Sequence, residues 1–286
     1  MNKKRKQTFV LVVPTFEDIF HSFYAGEIIK GVSLAASRLK TDILIHLTSR
    51  HDHRGWLDSS LLDHRYVDGI IFADIDNDVH VVKKAIRAGM PCMVLNNMLE
   101  EPINCISINN KQAALEVVES FIKLGHRRIA TIAGDQTTQA GLLRLEGYQE
   151  ALKSQEIPLQ KDFVTYGGFL RTPARESAMK LLALKEPPTA VFAASDVMAM
   201  ELMDVAKSKK LRIPQDLSVA GFDDNPLNVH CSVSLTTVRQ PLVEMGRLGA
   251  EHLNEIAKGK ARLPVKVTLE AKFIRRDSVS PPAHVM

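Results

Sequence analysis

The sequence predicts an α/β fold of two units, each with a doubly wound parallel sheet. Short apolar runs of strand length alternate with longer segments whose apolar residues fall at helical spacing, the pattern of strand–helix–strand crossovers. The alternation is completed twice, giving two units of comparable size plus extra elements at the end. Glycines and prolines stand at the joints, where turns and helix ends need them.

In order, 8–13 reads as a strand and 14–20 as a loop. From Phe23 to about Leu39 the apolar residues Ile28, Ile29, Val32, Leu34, Ala35 and Leu39 have helical spacing. A strand at 43–47, a helical stretch at 56–64 and a strand at 67–72 follow. Residues 79–88 form a helix capped by Gly89, with Pro91 beyond it. Short strands come at 92–95 and 105–108. In the second round Asn110 is expected to cap a helix over 112–124 that stops at Gly125. Strands at 128–133, 163–166, 190–193 and 217–220 then alternate with helices at 142–152, 174–184 and 197–207. Residues 236–238, a helix over 242–257 and a strand over 265–273 complete the chain. Residues 279–286 hold two prolines and little to bury, so disorder is expected there.

The chain has 286 residues and is 45% hydrophobic, enough for a large core and more than one domain. No run of eighteen apolar residues exists, which argues against a membrane span. The N-terminus is basic, but the apolar stretch after it breaks at Pro14, too soon for a signal peptide, and the expected location is cytoplasmic. The net charge of +4 is carried by Lys3, Lys4, Arg5 and Lys6, so the body is neutral, with no basic face to suggest nucleic acid. Cys92, Cys105 and Cys231 are widely spaced and form no CxxC pair; Cys92 and Cys105 read as buried thiols.

Motifs for nucleotide binding or catalysis are missing: no GxGxxG, Walker loop, GxSxG or HExxH. His51-Asp52-His53 lacks a third ligand nearby and reads as exposed rather than as a metal site. His126 reads as a helix-end residue at the negative end of a dipole. Ser195-Asp196 lacks a partner histidine at any suggestive place and reads as a helix N-cap. With no nucleophile–base constellation, no enzyme, cofactor or metal is expected.

Polar and aromatic residues do collect after the strands: Phe20, Phe23 and Tyr24, then Asn109, Arg144, Phe169, Ser195-Asp196 and Asp223. Ligands of open α/β sheets bind at the carboxyl ends of strands. Aromatic rings stack on a sugar face or a base, and Arg and Asp supply charge-assisted hydrogen bonds. The stretch Ser218-Val219-Ala220-Gly221-Phe222-Asp223-Asp224-Asn225-Pro226 concentrates this pattern. A short strand is expected to turn at Gly221 and present a carboxylate to hydroxyls of a polyol; a solvated turn is the plainer alternative.

These pieces together resemble the LacI/GalR family of bacterial transcription regulators. The resemblance rests on Val67-Asp68-Gly69-Ile70-Ile71, Leu124-Gly125-His126-Arg127-Arg128-Ile129-Ala130, Arg144-Leu145-Glu146-Gly147-Tyr148, the run 188–199 beginning Pro188-Thr189-Ala190, Val219-Ala220-Gly221-Phe222-Asp223-Asp224, and Thr236-Thr237-Val238-Arg239-Gln240-Pro241. It implies a type I periplasmic-binding-protein-like fold of two Rossmann-like subdomains joined by three crossovers, expected near Gly125, Val238 and Val265. The implied division is 8–124 with 238–265 against 125–237 with 266–280, after a linker remnant at 1–7 and before a tail at 281–286. It also implies a homodimer and an effector, expected to be a carbohydrate, in the cleft between subdomains. By motif, Arg144, Ser195 and Asp223 look like polar effector contacts, Phe169 like an aromatic wall and Gln240 like a hinge-side contact.

Two departures are visible. The family begins with a helix-turn-helix and hinge helix, whereas the first core strand here begins at Thr8; operator DNA is therefore expected as a partner only through a missing head. The family often has Asp-Asn where this chain has Asn109-Asn110, and the loop 14–23 is longer than usual, so effector identity does not carry over. A free-standing sugar-binding protein of a transport system is the alternative reading. Asp223→Asn is expected to weaken effector binding, and Asp224→Asn to do so far less.

Overall fold

A computed structural model describes residues 5–15, 22–49, 65–75, 79–226 and 232–283. The expected helix at 56–64, His51-Asp52-His53, Phe20 and Cys231 lie outside the described residues. The chain divides into two units with three crossings: residues 1–108 with 241–269, and residues 109–240 with 270–286.

In the first unit, β1 (Thr8–Thr15), β2 (Asp42–Ser49), β3 (Gly69–Phe72), β4 (Cys92–Leu95) and β5 (Cys105–Ile108) form a parallel sheet with the late strand β11 (Lys266–Leu269), in the order β11-β5-β4-β3-β1-β2. Every residue of β3, β4 and β5 is buried, because helices cover both faces of a parallel sheet. Those helices include α1 (Phe23–Leu39), capped by Ser22, and α2 (Val79–Arg87). Within the segment expected to be a linker, Arg5 donates to Tyr66 O and pairs with Asp68 at 2.7 Å, and Lys6 pairs with Asp42.

The second unit holds α3 (Asn110–Lys123), β6 (Ile129–Ala133), α4 (Gln139–Ser154), β7 (Val164–Tyr166), α5 (Arg171–Leu181), β8 (Ala190–Ala193), α6 (Asp196–Ser208) and β9 (Ser218–Ala220). Its parallel sheet has the order β7-β6-β8-β9, and β10 (Thr237–Arg239) pairs antiparallel with β12 (Lys272–Ile274). Between them in sequence, α7 (Leu242–Ala257) returns to the first unit, where it packs on α1 and β4.

Three expectations are corrected. The helix after β5 belongs to the second unit, not the first. A Cβ on Gly147 of α4 would stand 2.3 Å from Lys111 O of α3, so these two helices touch backbone to backbone. The single strand expected over 265–273 is two strands, since β11 pairs with β5 and β12 with β10, and the chain changes unit between Leu269 and Glu270. The crossings therefore follow Ile108, Gln240 and Leu269. Finally, the tail is ordered through Ala283. Ser278 is wholly buried; its Oγ accepts from Thr236 N and donates to Val219 O, while Val219 N donates to Ser278 O.

His126 anchors this tail rather than simply ending a helix. Its ring is buried, with Nδ1 2.9 Å from Thr189 Oγ1 and Nε2 2.8 Å from Ser280 O. Burial lowers its pKa below the ordinary 6.5, only partly opposed by the Ser280 carbonyl. The unfolded chain therefore takes up this proton first as pH falls. The stability His126 gives is complete above the ordinary imidazole value and is lost as pH falls from there through the lower folded value. Melting curves should show acid destabilisation beginning near pH 6.5. In His126→Gln, which keeps a donor for Ser280 O, that onset should be blunted, at a cost of about 1 kcal/mol at pH 8.

Candidate functional site

In the second unit the site is built around Arg144, on the sheet-facing side of α4. Thr138 caps this helix, accepting from Gly141 N at 3.0 Å. Arg144 is 3% exposed, so its charge needs partners. Nε donates to Asn110 Oδ1 at 2.9 Å and Nη1 to Ala194 O at 2.7 Å, which ties α4 to the start of α3 and the end of β8. The guanidinium carbon lies 3.6 Å from the Phe222 ring centroid and 5.7 Å from that of Phe169, two cation–π contacts. Phe169 itself has φ 65°, and its ring covers Gly134, where a Cβ would stand 2.1 Å from Phe169 Cζ.

Asp223 faces this arginine, with Arg144 Nη1 3.7 Å from its Oδ1. The same oxygen accepts from Gln240 Nε2 at 2.7 Å. Burial pushes the Asp223 carboxyl up; Arg144 pulls it down, nearby Asp196 pushes it up again, and the net displacement is upward. The turn that aims it is not at Gly221: Asp223 and Asp224 take the positive φ values, 127° and 58°. Gly221 is required for room instead, since a Cβ there would lie 2.2 Å from Asp196 Oδ1. Asp196 is wholly buried and accepts from Thr237 Oγ1 at 2.6 Å and Asn225 N at 2.7 Å, clamping the loop from beneath.

Two polar atoms here are buried without a hydrogen-bond partner: Asn110 Nδ2, a donor, and Gln240 Oε1, an acceptor. Each belongs to a side chain whose other atom grips a member of the Arg144–Asp223 pair. Buried polar atoms are seldom left unpaired. Asn110 was expected to be a cap; the cap is Asn109, whose Oδ1 accepts from Gln112 N at 3.0 Å, and Asn110 turns inward. Ser195 is a cap as well, accepting from Met198 N at 3.4 Å. The structure thus gathers Arg144, Asp223, Gln240 and Phe169, adds Asn110, and gives Ser195 and Asn109 work at helix ends. The doublet Asn109-Asn110 was the available signal, but sequence does not say which of two adjacent asparagines faces inward.

The first unit carries its own strand-end group. Tyr24 Oη donates to Ala73 O, and Phe23 opens α1 half-buried. Asp74 Oδ2 accepts from Asn96 Nδ2 at 3.1 Å, and Asn97 is satisfied when its amide nitrogen faces Leu95 O and Asp74 Oδ1, at 3.1 and 3.0 Å. Asn96 has φ 65° and a buried Oδ1 with no partner. The pair Asn96-Asn97 directly after an apolar strand was a readable sign that sequence reasoning passed over. Among the described residues no group of His, Cys, Asp or Glu could hold a metal ion, and no helix is long and apolar enough to cross a membrane.

A family model described as a periplasmic binding protein-like domain matches residues 118–279. The probable HTH-type transcriptional repressor ExuR of Bacillus subtilis is 35% identical over 265 residues, covering 91% of this chain and 76% of the relative. The chain belongs to the LacI/GalR family. As a LacI/GalR chain it is also 32% identical to the HTH-type transcriptional regulator CelR of Thermobifida fusca, over 96% of its own length and 82% of CelR. A solved CelR–cellobiose complex superposes with a TM-score of 0.89 at 30% identity, covering 97% of this chain and 86% of that one. The lac repressor dimer bound to operator and an anti-inducer superposes with a TM-score of 0.86 at 23% identity, over 97% and 96% of the two chains; at that identity the likeness is one of fold. The fold is therefore the periplasmic-binding-protein-like α/β type, and the relatives are transcriptional regulators.

Proposed function

We propose that this chain is the effector-sensing core of a LacI/GalR transcriptional regulator and that its effector is a small carbohydrate. Arg144 and Asp223 would hold vicinal hydroxyls, Asn110 and Gln240 would contribute the next donor and acceptor, and the Phe169 ring would take a C–H face of the sugar. The observation that carries this is the pair of buried, unpartnered atoms, Asn110 Nδ2 and Gln240 Oε1, on either side of the Arg144–Asp223 pair. A hydroxyl, which both donates and accepts, can satisfy either. CelR, solved with cellobiose, supports a sugar as the class. The readout would be operator binding through a helix-turn-helix head, in a cytoplasmic homodimer and with no catalysis.

A thermal-shift screen against neutral sugars, sugar acids, sugar phosphates and nucleobases tests the reading. A ligand that binds only the native state raises the melting temperature by mass action, and the expected hits are neutral sugars. Stabilisation by nucleobases alone, or turnover of a bound sugar, would overturn it. Sedimentation at micromolar concentration should show a dimer, because two-fold symmetric operators are read by two-fold symmetric proteins.

A further inference from the structure

The loop that carries Asp223 is bent against its own preference. Two consecutive non-glycine residues at positive φ, 127° and 58°, are a conformation that side chains resist unless the surroundings hold it. A set of ionic and hydrogen-bonded contacts holds it. Asp224, next to the proposed effector contact, has a carboxylate only 9% exposed, which accepts from Arg239 Nε at Oδ2 (2.6 Å) and from an Arg276 nitrogen at Oδ1. Arg276 also donates from Nη1 to Leu235 O at 2.8 Å and from its backbone N to Thr236 Oγ1 at 3.0 Å. Burial alone would push the Asp224 carboxyl up, yet hydrogen bonds from Arg276 and Arg239 bring it below its ordinary value. Bonds from backbone N–H groups complete the staple: Gly221 N to Thr236 O, Asp223 N to Val238 O, and Asp224 N to the Thr237 side-chain Oγ1.

We propose that Asp224, Arg239 and Arg276 form a positioning triad for the effector contact, a proposal that rests on reading Asp223 as that contact. The triad keeps residues 223 and 224 in the left-handed region, so that the Asp223 carboxylate stands against Gln240 and Arg144. It also fastens that carboxylate to β10, which ends one residue before the crossing after Gln240, and to the segment just beyond β12, which begins after the crossing at Leu269. The two arginines are unequal. Arg239 is 56% exposed and its pair is screened by salt, whereas Arg276 is 19% exposed and holds under screening. Asp224 therefore matters to binding without touching the effector, where the expectation from sequence is that Asp224→Asn weakens binding far less than Asp223→Asn.

The test uses two readouts on Arg276→Met, Asp224→Asn and Arg239→Met. One is the titration of the Asp223 carboxylate in ligand-free protein, followed by carbon NMR; the other is calorimetric affinity for cellobiose as the probe. Arg276→Met should return the Asp223 titration toward the ordinary aspartate range and weaken cellobiose binding about tenfold. Arg276→Lys should recover most of both. Arg239→Met, at an exposed position, should give a smaller shift, and it guards against an Arg276→Met that does not fold. Asp223 titrating unchanged in folded Asp224→Asn and Arg239→Met proteins would overturn the triad. Absence of cellobiose binding by the unmodified protein would count against the effector reading alone, because the titration still decides the triad.

Discussion

Asp223→Asn should lower effector affinity by about ten- to a hundredfold without lowering the melting temperature. The affinity loss follows from removing a charged acceptor, a contribution of roughly 1.5–3 kcal/mol. The unchanged stability follows from the sign of its pKa shift. Burial raises the Asp223 carboxyl above its ordinary 3.8, with Asp196 adding to the rise and Arg144 only partly opposing it. A carboxyl raised on folding gives its stability in full below the unfolded value and loses it as pH climbs through the folded one. At neutral pH the carboxylate therefore costs stability, and an uncharged amide that still accepts from Gln240 removes that cost. Melting curves should place Asp223→Asn level with or above the unmodified protein at pH 7.5, with the gap closing in acid. The same shift makes effector binding pH-dependent. Affinity for the probe should fall as pH drops through the raised Asp223 value, while the Asn variant, already weak, should titrate flat. A melting temperature lowered by several degrees with intact affinity would mean that Asp223 supports the turn and nothing more.

Most of the fold was legible because its signals are local. A buried parallel strand has to be a short apolar run, as at Ile70-Ile71-Phe72 and Cys92-Met93-Val94-Leu95, and the helices between such runs show one apolar face. What stayed hidden was partnership. β11 and β12 read as one strand since Val267, Leu269, Phe273 and Ile274 carry no mark of which sheet they pair with. The helix over α3 looks the same whichever unit receives its buried face, and its close approach at Gly147 assigns it. The tail looked unstructured because residues 279–286 hold two prolines and little to bury; Ser280 within it and Ser278 just before it are held by hydrogen bonds to Val219, Thr236, Ser218 and His126, more than forty residues away in sequence. At the site the charged residues stood out through their positions after strands. Asn110 did not, since its role depends on facing Arg144, a contact 34 residues apart.

Arg144→Met should lower effector affinity by more than about a hundredfold and also destabilise the second unit, the largest combined effect of any single change at the site. Methionine keeps the apolar contact with Phe222 but leaves Asn110 Oδ1 and Ala194 O without their donors, both in surroundings closed to water. Each buried polar group left unpaired costs about 1–3 kcal/mol, so a loss of roughly 3 kcal/mol is expected. Removing the guanidinium also takes away the charge that opposes the upward shift of Asp223. Asp223 then holds its proton to still higher pH and binds an effector poorly as an acceptor. The affinity loss should consequently exceed that of Asp223→Asn, more than about a hundredfold by the same charged hydrogen-bond scale. Arg144→Lys should fall between the two: it restores a positive charge near Asp223, but an ammonium cannot make the planar fork to Asn110 and Ala194 or lie flat on Phe222. The double variant Arg144→Met with Asp223→Asn separates the causes. If the two side chains act as one unit on the effector, its affinity should match that of Arg144→Met alone, and its stability should exceed it, since no uncompensated carboxylate is left behind. Additive losses in affinity would mean that the two contact the effector independently, and unchanged affinity in Arg144→Met would reduce this arginine to a tie between α3, α4 and β8.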